Sequence, residues 1–259
     1  MTYENLIVET GDEFVGEITL NRPEQMNTFT SGLAEDLHNA FLELDADATV
    51  RVIIVKGAGR AFCAGIDVNE LFGKTALEYR VWIEHMERPL LTVSKMRKPV
   101  IAQVHGVAAA NGMGLVAACD MAIADDSARM GLTAINVGLN CVGPIVPVSR
   151  SIGRKKALEL LLYGDLVKAP DALTMGLINR VVSGEDLESE ARTWAKTLAK
   201  KSPVAVQIAK KAFYSAEDMN YEKQFEYMNE AFARLCTADD AKEGVSAFFE
   251  KRNPEWKGR

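Results

Sequence analysis

The sequence HGVAAANGMGLVAACD, from His105 to Asp120, is the stretch that decides how this chain folds. It follows a short apolar run typical of a buried strand, and it contains five alanines, three glycines and one asparagine. Small side chains of this kind allow another backbone or a ligand to approach closely. From Asn111 the apolar pattern predicts a buried helix that begins in a crowded turn. The unpaired N–H groups at such a helix start can hold negative charge, so the segment is a candidate site for stabilising an oxyanion.

A second small-residue loop, RAFCAGID from Arg60 to Asp67, follows the strand-like run RVIIVK. Because a short helix is expected to begin at Asp67, the amide of Ile66 is expected to be free. This amide and one near Asn111 can converge on a single carbonyl oxygen, where an enolate carries its charge. The simpler interpretation, in which Asp67 only caps a helix, stays open.

The composition is that of a soluble globular protein, with 48% hydrophobic and 25% charged residues. The sequence has no apolar run of the roughly 20 residues that a membrane span needs, and its start does not resemble a signal peptide. Four cysteines at irregular spacing favour reduced thiols in a cytoplasmic protein over disulfides or a metal site. The net charge of −6, without a basic patch, disfavours nucleic acid as a partner.

Strand and helix patterns alternate up to about residue 184, and the chain is almost wholly helical beyond it. We therefore predict an α/β region at 1–184 and a helical region at 185–259. A long helix is expected at 76–96 with an interruption at Pro89. The stretch 129–147, rich in Gly, Asn and Pro, is expected to be irregular.

The run from Gly112 to Ala117 also fits the pattern G-x-G-x-x-A of dinucleotide-binding proteins. In that fold the pattern follows a strand directly, with an acidic residue about 20 positions later. Here the segment 105–111 intervenes, so nicotinamide binding is disfavoured.

Four segments in this order resemble motifs of the crotonase (enoyl-CoA hydratase/isomerase) superfamily: NRPEQMN (21–27), RAFCAGID (60–67), HGVAAANGMGLVAACD (105–120) and AFFEKRNP (247–254). The resemblance implies an α/β fold of the crotonase type, a spiral of ββα units with a C-terminal helical trimerisation region. It also implies acyl-CoA thioester substrates, as in fatty acid metabolism, and a homo-trimer or a dimer of trimers. No metal and no cofactor are implied beyond the coenzyme A of the substrate.

Carried over to this sequence, the resemblance assigns the oxyanion amides to Ile66 and Asn111, with Gly112 as the alternative to Asn111. It also assigns contacts with coenzyme A to two groups of residues. They are Met26, Ala64, Gly65, Asp67 and Val68 around the first loop, and Phe248 and Lys251 near the C-terminus, the latter two often from a neighbouring subunit.

The sequence departs from the family at the two glutamates that hydratases use, because Gly114 and Ala134 stand at those positions. Neither residue can transfer a proton, so ordinary two-glutamate hydration is not expected. In this respect the chain resembles a subgroup named only as hydratase-domain-containing proteins. Cys141 is a candidate replacement if its thiol pKa is lowered, and by family analogy Glu70, Glu84 and His85 are possible pocket residues.

Three functions remain open from the sequence. The first is a lyase or isomerase that stabilises a thioenolate with a non-standard acid or base, and the second is a non-catalytic acyl-CoA-binding or assembly subunit. The third, RNA binding through the first helix, is disfavoured because no Lys or Arg occurs between Pro23 and Val50.

Overall fold

The computed structural model describes residues 2–259, and for Asp12 it describes the backbone alone. The strands, labelled in chain order, are β1 (Leu6–Thr10), β2 (Val15–Leu20), β3 (Val52–Gly57), β4 (Val100–Val104), β5 (Val107–Ala109), β6 (Met121–Asp125), β7 (Arg129–Gly131), β8 (Val167–Lys168) and β9 (Arg180–Val182). The α-helices are α1 (Ser31–Ala46), α2 (Ala76–Lys95), α3 (Asn111–Ala118), α4 (Ile145–Ile152), α5 (Arg154–Tyr163), α6 (Ala169–Thr174), α7 (Leu187–Ala199), α8 (Pro203–Ala216), α9 (Tyr221–Cys236) and α10 (Asp239–Glu250).

Two sheets organise the α/β part of the chain. The larger has the strand order β1-β2-β3-β4-β6-β9, and the smaller has the order β5-β7-β8. In the larger sheet β1 and β2 form an antiparallel hairpin, and the remaining neighbours are parallel. The chain leaves β4 in the larger sheet and, after two intervening residues, enters β5 in the smaller one. The helix α3 follows β5 after one further residue.

The larger sheet is buried on both faces, as the continuous apolar run of β3 predicts. Ile53 and Val55 belong to the main core with α1 and α2, whereas Val52 and Ile54 face the other way. That second face is covered by α7, whose residues Leu187, Ala191, Ala195 and Ala199 are buried against it. The division at residue 184 stays a prediction, but by its packing α7 belongs with the sheet.

Two expectations about the middle of the chain are wrong. The helix α2 continues through Pro89, because Met86, Leu90 and Val93 on either side are buried in the core and hold the helix in place. The stretch 129–147 is not wholly irregular, since it contains β7, a 3-10 helix at Thr133–Val137 and the start of α4. None of the helices within residues 2–259 combines the length and the apolar character that crossing a membrane requires.

Candidate active site

The two small-residue loops singled out in the sequence lie directly against each other. Cys63 and Ala108 form a parallel bridge, in which the Cys63 amide donates to Val107 O at 3.1 Å and the Ala109 amide donates to Cys63 O at 2.9 Å. The loop at 60–67 therefore runs alongside β5, which leads into α3.

Glycine is needed at two positions here because the backbones approach so closely. A Cβ on Gly112 would overlap the Cys63 carbonyl oxygen and lie 2.9 Å from the carbonyl carbon. A Cβ on Gly65, whose φ is +115°, would lie 3.2 Å from the Cβ of Ala110. Ile66 follows Gly65, and Asn111 follows Ala110. Ile66 and Asn111 therefore lie on opposite sides of the contact between the two loops.

The amide of Ile66 is unpartnered. Phe29 and Ile66 form a parallel bridge through the neighbours of Ile66: the Phe29 amide donates to Gly65 O at 2.7 Å, and the Asp67 amide donates to Phe29 O at 2.8 Å. In such a bridge the N–H of Ile66 points away from Phe29. No acceptor for it exists within the described range 2–259.

The amides at the start of α3 are also available. Asn111 is the first residue of the helix, and neither its amide nor that of Gly112 has an acceptor among residues 2–259. The preceding Ala110 has a φ of +48°. This backbone conformation is energetically unfavourable for a residue that has a Cβ. Its own amide is fixed by donation to Gly131 O at 2.8 Å. A strained residue held in this way orients the first turn of α3.

The side chain of Asn111 adds a further donor at the same place. Its exposed fraction is 2%, and its Nδ2 atom has no hydrogen-bond partner among the described residues. A buried donor without a partner is costly, so its presence here indicates a group that a ligand can satisfy.

Asn27, in the NRPEQMN turn, holds the first loop in position. This fully buried side chain accepts from the Arg22 amide and donates to Ala58 O and Ala61 O, each at 2.8 Å. Three hydrogen bonds from one buried side chain fix the turn against the chain that leads into the loop.

Asp67 caps the short 3-10 helix at Val68–Glu70, as the simpler interpretation predicted, by accepting from the Asn69 amide. It also pairs with Arg22 at 3.2 Å. Burial alone would raise the pKa of Asp67, but the hydrogen bonds from Asn69 and Arg22 outweigh it and hold the pKa below its usual value. Asp67 is therefore a structural anion at neutral pH.

A groove of about 1510 Å³ lies between α2, α4 and α8, and the C-terminal end of α3, at 117–119, contributes to its lining. Its lining includes Glu87, Leu90 and Gly143 but neither Ile66 nor Asn111. Leu90 connects the two places, because a Cβ on Gly114, one turn into α3, would lie 3.0 Å from Leu90 Cδ2.

Glu87 is a titratable residue that the sequence analysis missed. Its carboxylate lies against Gly143, where a Cβ would coincide with it, and no residue in the described range donates to it or pairs with it. Burial raises the pKa of the Glu87 carboxyl above its usual value. A signal was present in the sequence: Glu87 stands between Ile83 and Leu90 at the helical spacing of the apolar face of α2.

The acidic and basic pocket residues suggested by family analogy already have hydrogen-bond or ion-pair partners. Glu70 accepts from the amide and hydroxyl of Ser31 at 3.0 and 2.7 Å and from Trp82 Nε1 at 3.1 Å. His85 Nε2 lies 2.9 Å from Ser31 O, and Glu84 is exposed and paired within α2. Through Ser31 and Trp82, Glu70 and His85 connect α1 and α2 to the 3-10 helix that follows the first loop.

Comparison with known proteins identifies the family. A sequence profile described as Enoyl-CoA hydratase/isomerase matches residues 10–259. The chain belongs to the enoyl-CoA hydratase/isomerase family. A Mycobacterium tuberculosis protein named probable enoyl-CoA hydratase is 35% identical over 100% of each chain. The mitochondrial enoyl-CoA hydratase domain-containing protein 3 of Xenopus laevis is 33% identical, over 93% of this chain and 83% of that protein.

Solved structures agree with this assignment. The crystal structure of a Mycobacterium smegmatis enoyl-CoA hydratase has a TM-score of 0.94 to this chain at 37% identity, over 97% of this chain and 98% of that one. The resemblance to the crotonase superfamily and the predicted α/β fold of that type are thereby confirmed.

At both positions where the sequence analysis expected a family glutamate, this enoyl-CoA hydratase/isomerase family member has no side chain that can transfer a proton. Gly114 faces a closed space, because a Cβ there would lie 2.8 Å from Pro144 Cβ as well as against Leu90. Ala134 lies in the 3-10 helix at Thr133–Val137 and packs against the main core. The residues packed around α3 therefore leave no room for a glutamate side chain at position 114.

Cys141 does not have the lowered thiol pKa that it would need to replace a catalytic glutamate. Its side chain is buried, with an exposed fraction of 4%, and burial raises the pKa of its thiol. A raised pKa disfavours the thiolate, so Cys141 lacks the lowered pKa on which its predicted role depends.

The residues predicted to contact coenzyme A fall into two places. The first group lies together at the junction of the NRPEQMN turn and the first loop, where the Ala64 amide donates to Met26 O at 3.0 Å and Val68 is 56% exposed. Phe248 is 79% exposed on α10, and Lys251 follows the end of that helix. The roles of both groups stay predictions.

Proposed function

We propose that this chain binds acyl-CoA thioesters and stabilises the thioenolate formed when the carbon next to the carbonyl loses a proton. The thioester oxygen would be held by the Ile66 amide and by the amide of Asn111, or of Gly112. The observation that carries the proposal is that these amides, on the two sides of the contact between Gly65 and Ala110, have no acceptor among residues 2–259.

The chemistry explains why two main-chain donors suit this role. Loss of the proton moves negative charge onto the thioester oxygen, and donors already in position stabilise that charge by several kcal/mol without reorganising. The side-chain amide of Asn111 supplies a third donor toward the acyl group. In this proposal no metal and no cofactor take part apart from the coenzyme A of the substrate.

Coenzyme A would lie along the junction formed by Met26, Ala64, Gly65, Asp67 and Val68. The acyl chain would enter the groove beside α2, which at about 1510 Å³ exceeds the volume of a typical small-molecule pocket. Phe248 and Lys251 would reach the ligand of a neighbouring subunit.

The reaction proposed is either an isomerisation or a lyase-type conversion that passes through the thioenolate. Two-glutamate hydration is excluded from the proposal because Gly114 and Ala134 cannot transfer protons. The presence of Gly114 and Ala134 in place of glutamates also favours a second candidate function, that of a non-catalytic acyl-CoA-binding or assembly subunit.

One experiment separates the two candidates. The protein is incubated in D₂O with saturated and unsaturated acyl-CoA esters, deuterium at the α-carbon is followed by mass spectrometry, and affinity is measured by calorimetry. Binding with deuterium incorporation supports the enzyme, and binding without incorporation or turnover supports the non-catalytic subunit. Absence of binding to every ester would contradict both.

Replacing Asn111 by alanine is expected to stabilise the free protein and to weaken ligand binding. Removing a buried donor without a partner raises the free energy of unfolding by about 1 kcal/mol, and losing its bond to the ligand lowers affinity by about tenfold. Urea denaturation and calorimetry measure the two effects. Asn136, whose Nδ2 atom donates to Gly164 O at 3.0 Å, is the control, and Asn136→Ala should lower stability. A destabilised Asn111→Ala variant with unchanged affinity would contradict this role.

We also propose that the helix α9 joins protomers into a homo-trimer or a dimer of trimers. None of its residues is buried, and its large apolar side chains follow one face at intervals of four, three and four residues. They are Tyr221 (78% exposed), Phe225 (57%), Met228 (36%) and Phe232 (67%). A continuous apolar stripe of this kind is typical of an interface between subunits.

The double variant Phe225→Glu with Phe232→Glu is expected to be monomeric, because two carboxylates would be buried without partners in the interface. Size-exclusion chromatography with light scattering measures the mass. The control is Glu230→Gln, which changes the opposite side of the same helix and should leave the assembly intact. A monomeric wild-type protein, or a double variant with the mass of the wild type, would rule out this role for α9.

A further inference from the structure

The space that a glutamate side chain at position 114 of α3 would occupy is filled by residues from outside α3. Gly114 lies one turn after Asn111, and its side-chain direction is blocked by Leu90 of α2 and by Pro144. The helix α2 thus passes within van der Waals distance of the first turn of α3. An acid or base for a substrate bound at the amides must come from an element other than α3.

Glu87 comes from the face of α2 that carries Leu90, three residues earlier. Its carboxylate lies on Gly143, the residue before the Pro144 that closes the space at Gly114. Both carboxylate and glycine line the groove, so a ligand in the groove can reach this carboxylate. A side chain at position 143 would displace the Glu87 carboxylate from this place.

We propose that Glu87 is the general base of this site, replacing from α2 the glutamate that α3 lacks. The inference rests on the proposed function, because it needs a thioester oxygen at the amides of Ile66 and Asn111. The carboxylate takes the proton from the α-carbon, so that this C–H bond breaks and an O–H bond forms. The electron pair of the broken bond becomes the double bond between the α-carbon and the carbonyl carbon, and the thioester oxygen gains the negative charge. Exchange is complete when the Glu87 carboxyl trades this proton for one from solvent and returns the solvent proton to the α-carbon. With a β,γ-unsaturated ester, return of the proton to the γ-carbon shifts the double bond and completes isomerisation without any co-reactant.

The surroundings of Glu87 suit this role better than those of the other candidates. Glu70 accepts from three donors, His85 is hydrogen-bonded to Ser31, and burial raises the pKa of the Cys141 thiol. Glu87 has no partner in the described range and is partly buried. Partial burial raises its pKa toward the range in which a carboxylate both exists at neutral pH and accepts a proton effectively.

The test compares Glu87→Gln with Glu159→Gln. Glu159 lies on α5, outside the lining of the groove, and it is exposed and paired with Lys156 at 2.9 Å. For each protein, α-proton exchange in D₂O is followed by mass spectrometry with an ester that the wild type exchanges, and affinity is measured by calorimetry. Glu87→Gln is expected to slow exchange by at least about a hundredfold, the usual contribution of a general base, with affinity changed less than about threefold. Glu159→Gln should behave as the wild type.

A second variant keeps the test decisive if Glu87→Gln does not fold. Glu87→Asp keeps the charge but withdraws it by one methylene, and exchange should fall by more than about tenfold because proton transfer needs close approach. Wild-type exchange rates in a folded Glu87→Gln or Glu87→Asp variant would overturn the role of Glu87 and leave the proposed function standing. A wild-type protein that binds esters but exchanges no α-proton would overturn the proposed function and this inference together.

Discussion

Replacing Ile66 by proline is expected to slow α-proton exchange in a bound acyl-CoA by about 10²- to 10³-fold, the usual effect of losing one oxyanion donor. Proline has no N–H, so the variant lacks the donor proposed for the thioester oxygen. The bridge to Phe29 should survive, because it uses the carbonyl of Gly65 and the amide of Asp67. Exchange is measured by mass spectrometry, and circular dichroism checks that the variant is folded.

The matched control is Ile66→Ala. It keeps the amide and removes only the partly buried side chain, so its exchange rate should stay within about tenfold of the wild type. A folded Ile66→Pro variant that exchanges protons at the wild-type rate would show that this amide holds no developing charge.

Replacing Gly112 by alanine is expected to reduce both stability and activity. The new Cβ would overlap the carbonyl oxygen of Cys63, and because this neighbour is backbone it cannot turn aside as a flexible side chain can. Overpacking of this kind lowers the free energy of unfolding by about 3 kcal/mol or more. The forced separation of the two loops also displaces one amide relative to the other, and a shift of about 1 Å costs about a hundredfold in rate.

Urea denaturation at a fixed protomer concentration measures the stability change, and D₂O exchange measures the rate. Gly184→Ala is the control, because nothing lies within 4 Å of a Cβ at that position, and its stability should change by less than about 1 kcal/mol. A Gly112→Ala variant with wild-type stability and exchange would contradict the close approach of the two loops.

The parts of the fold that the sequence predicts are those set by local patterns. Small residues indicated the close approach of the loops, and the apolar spacing predicted a helix from about Asn111, which is where α3 begins. The continuous apolar run of β3 predicted burial on both faces, because local hydrophobicity reflects the environment of a central strand.

The parts that the sequence did not predict depend on contacts between distant segments. β5 is three residues long and rich in alanine, and it is defined by its pairing with β7 and with Cys63 rather than by its own propensity. The continuation of α2 through Pro89 depends on its packing in the core. The position of Glu87 beside Gly143 depends on how α2 and the loop before α4 meet, which no local pattern records.

The most direct measurement is a crystal structure of the protein with butyryl-CoA bound. The proposed function predicts the thioester oxygen at hydrogen-bond distance, about 2.7–3.2 Å, from the nitrogen of Ile66 and from that of Asn111 or Gly112. It also predicts the α-carbon on the side of the Glu87 carboxylate. A thioester oxygen bound elsewhere in the groove, with both amides facing solvent, would contradict the account.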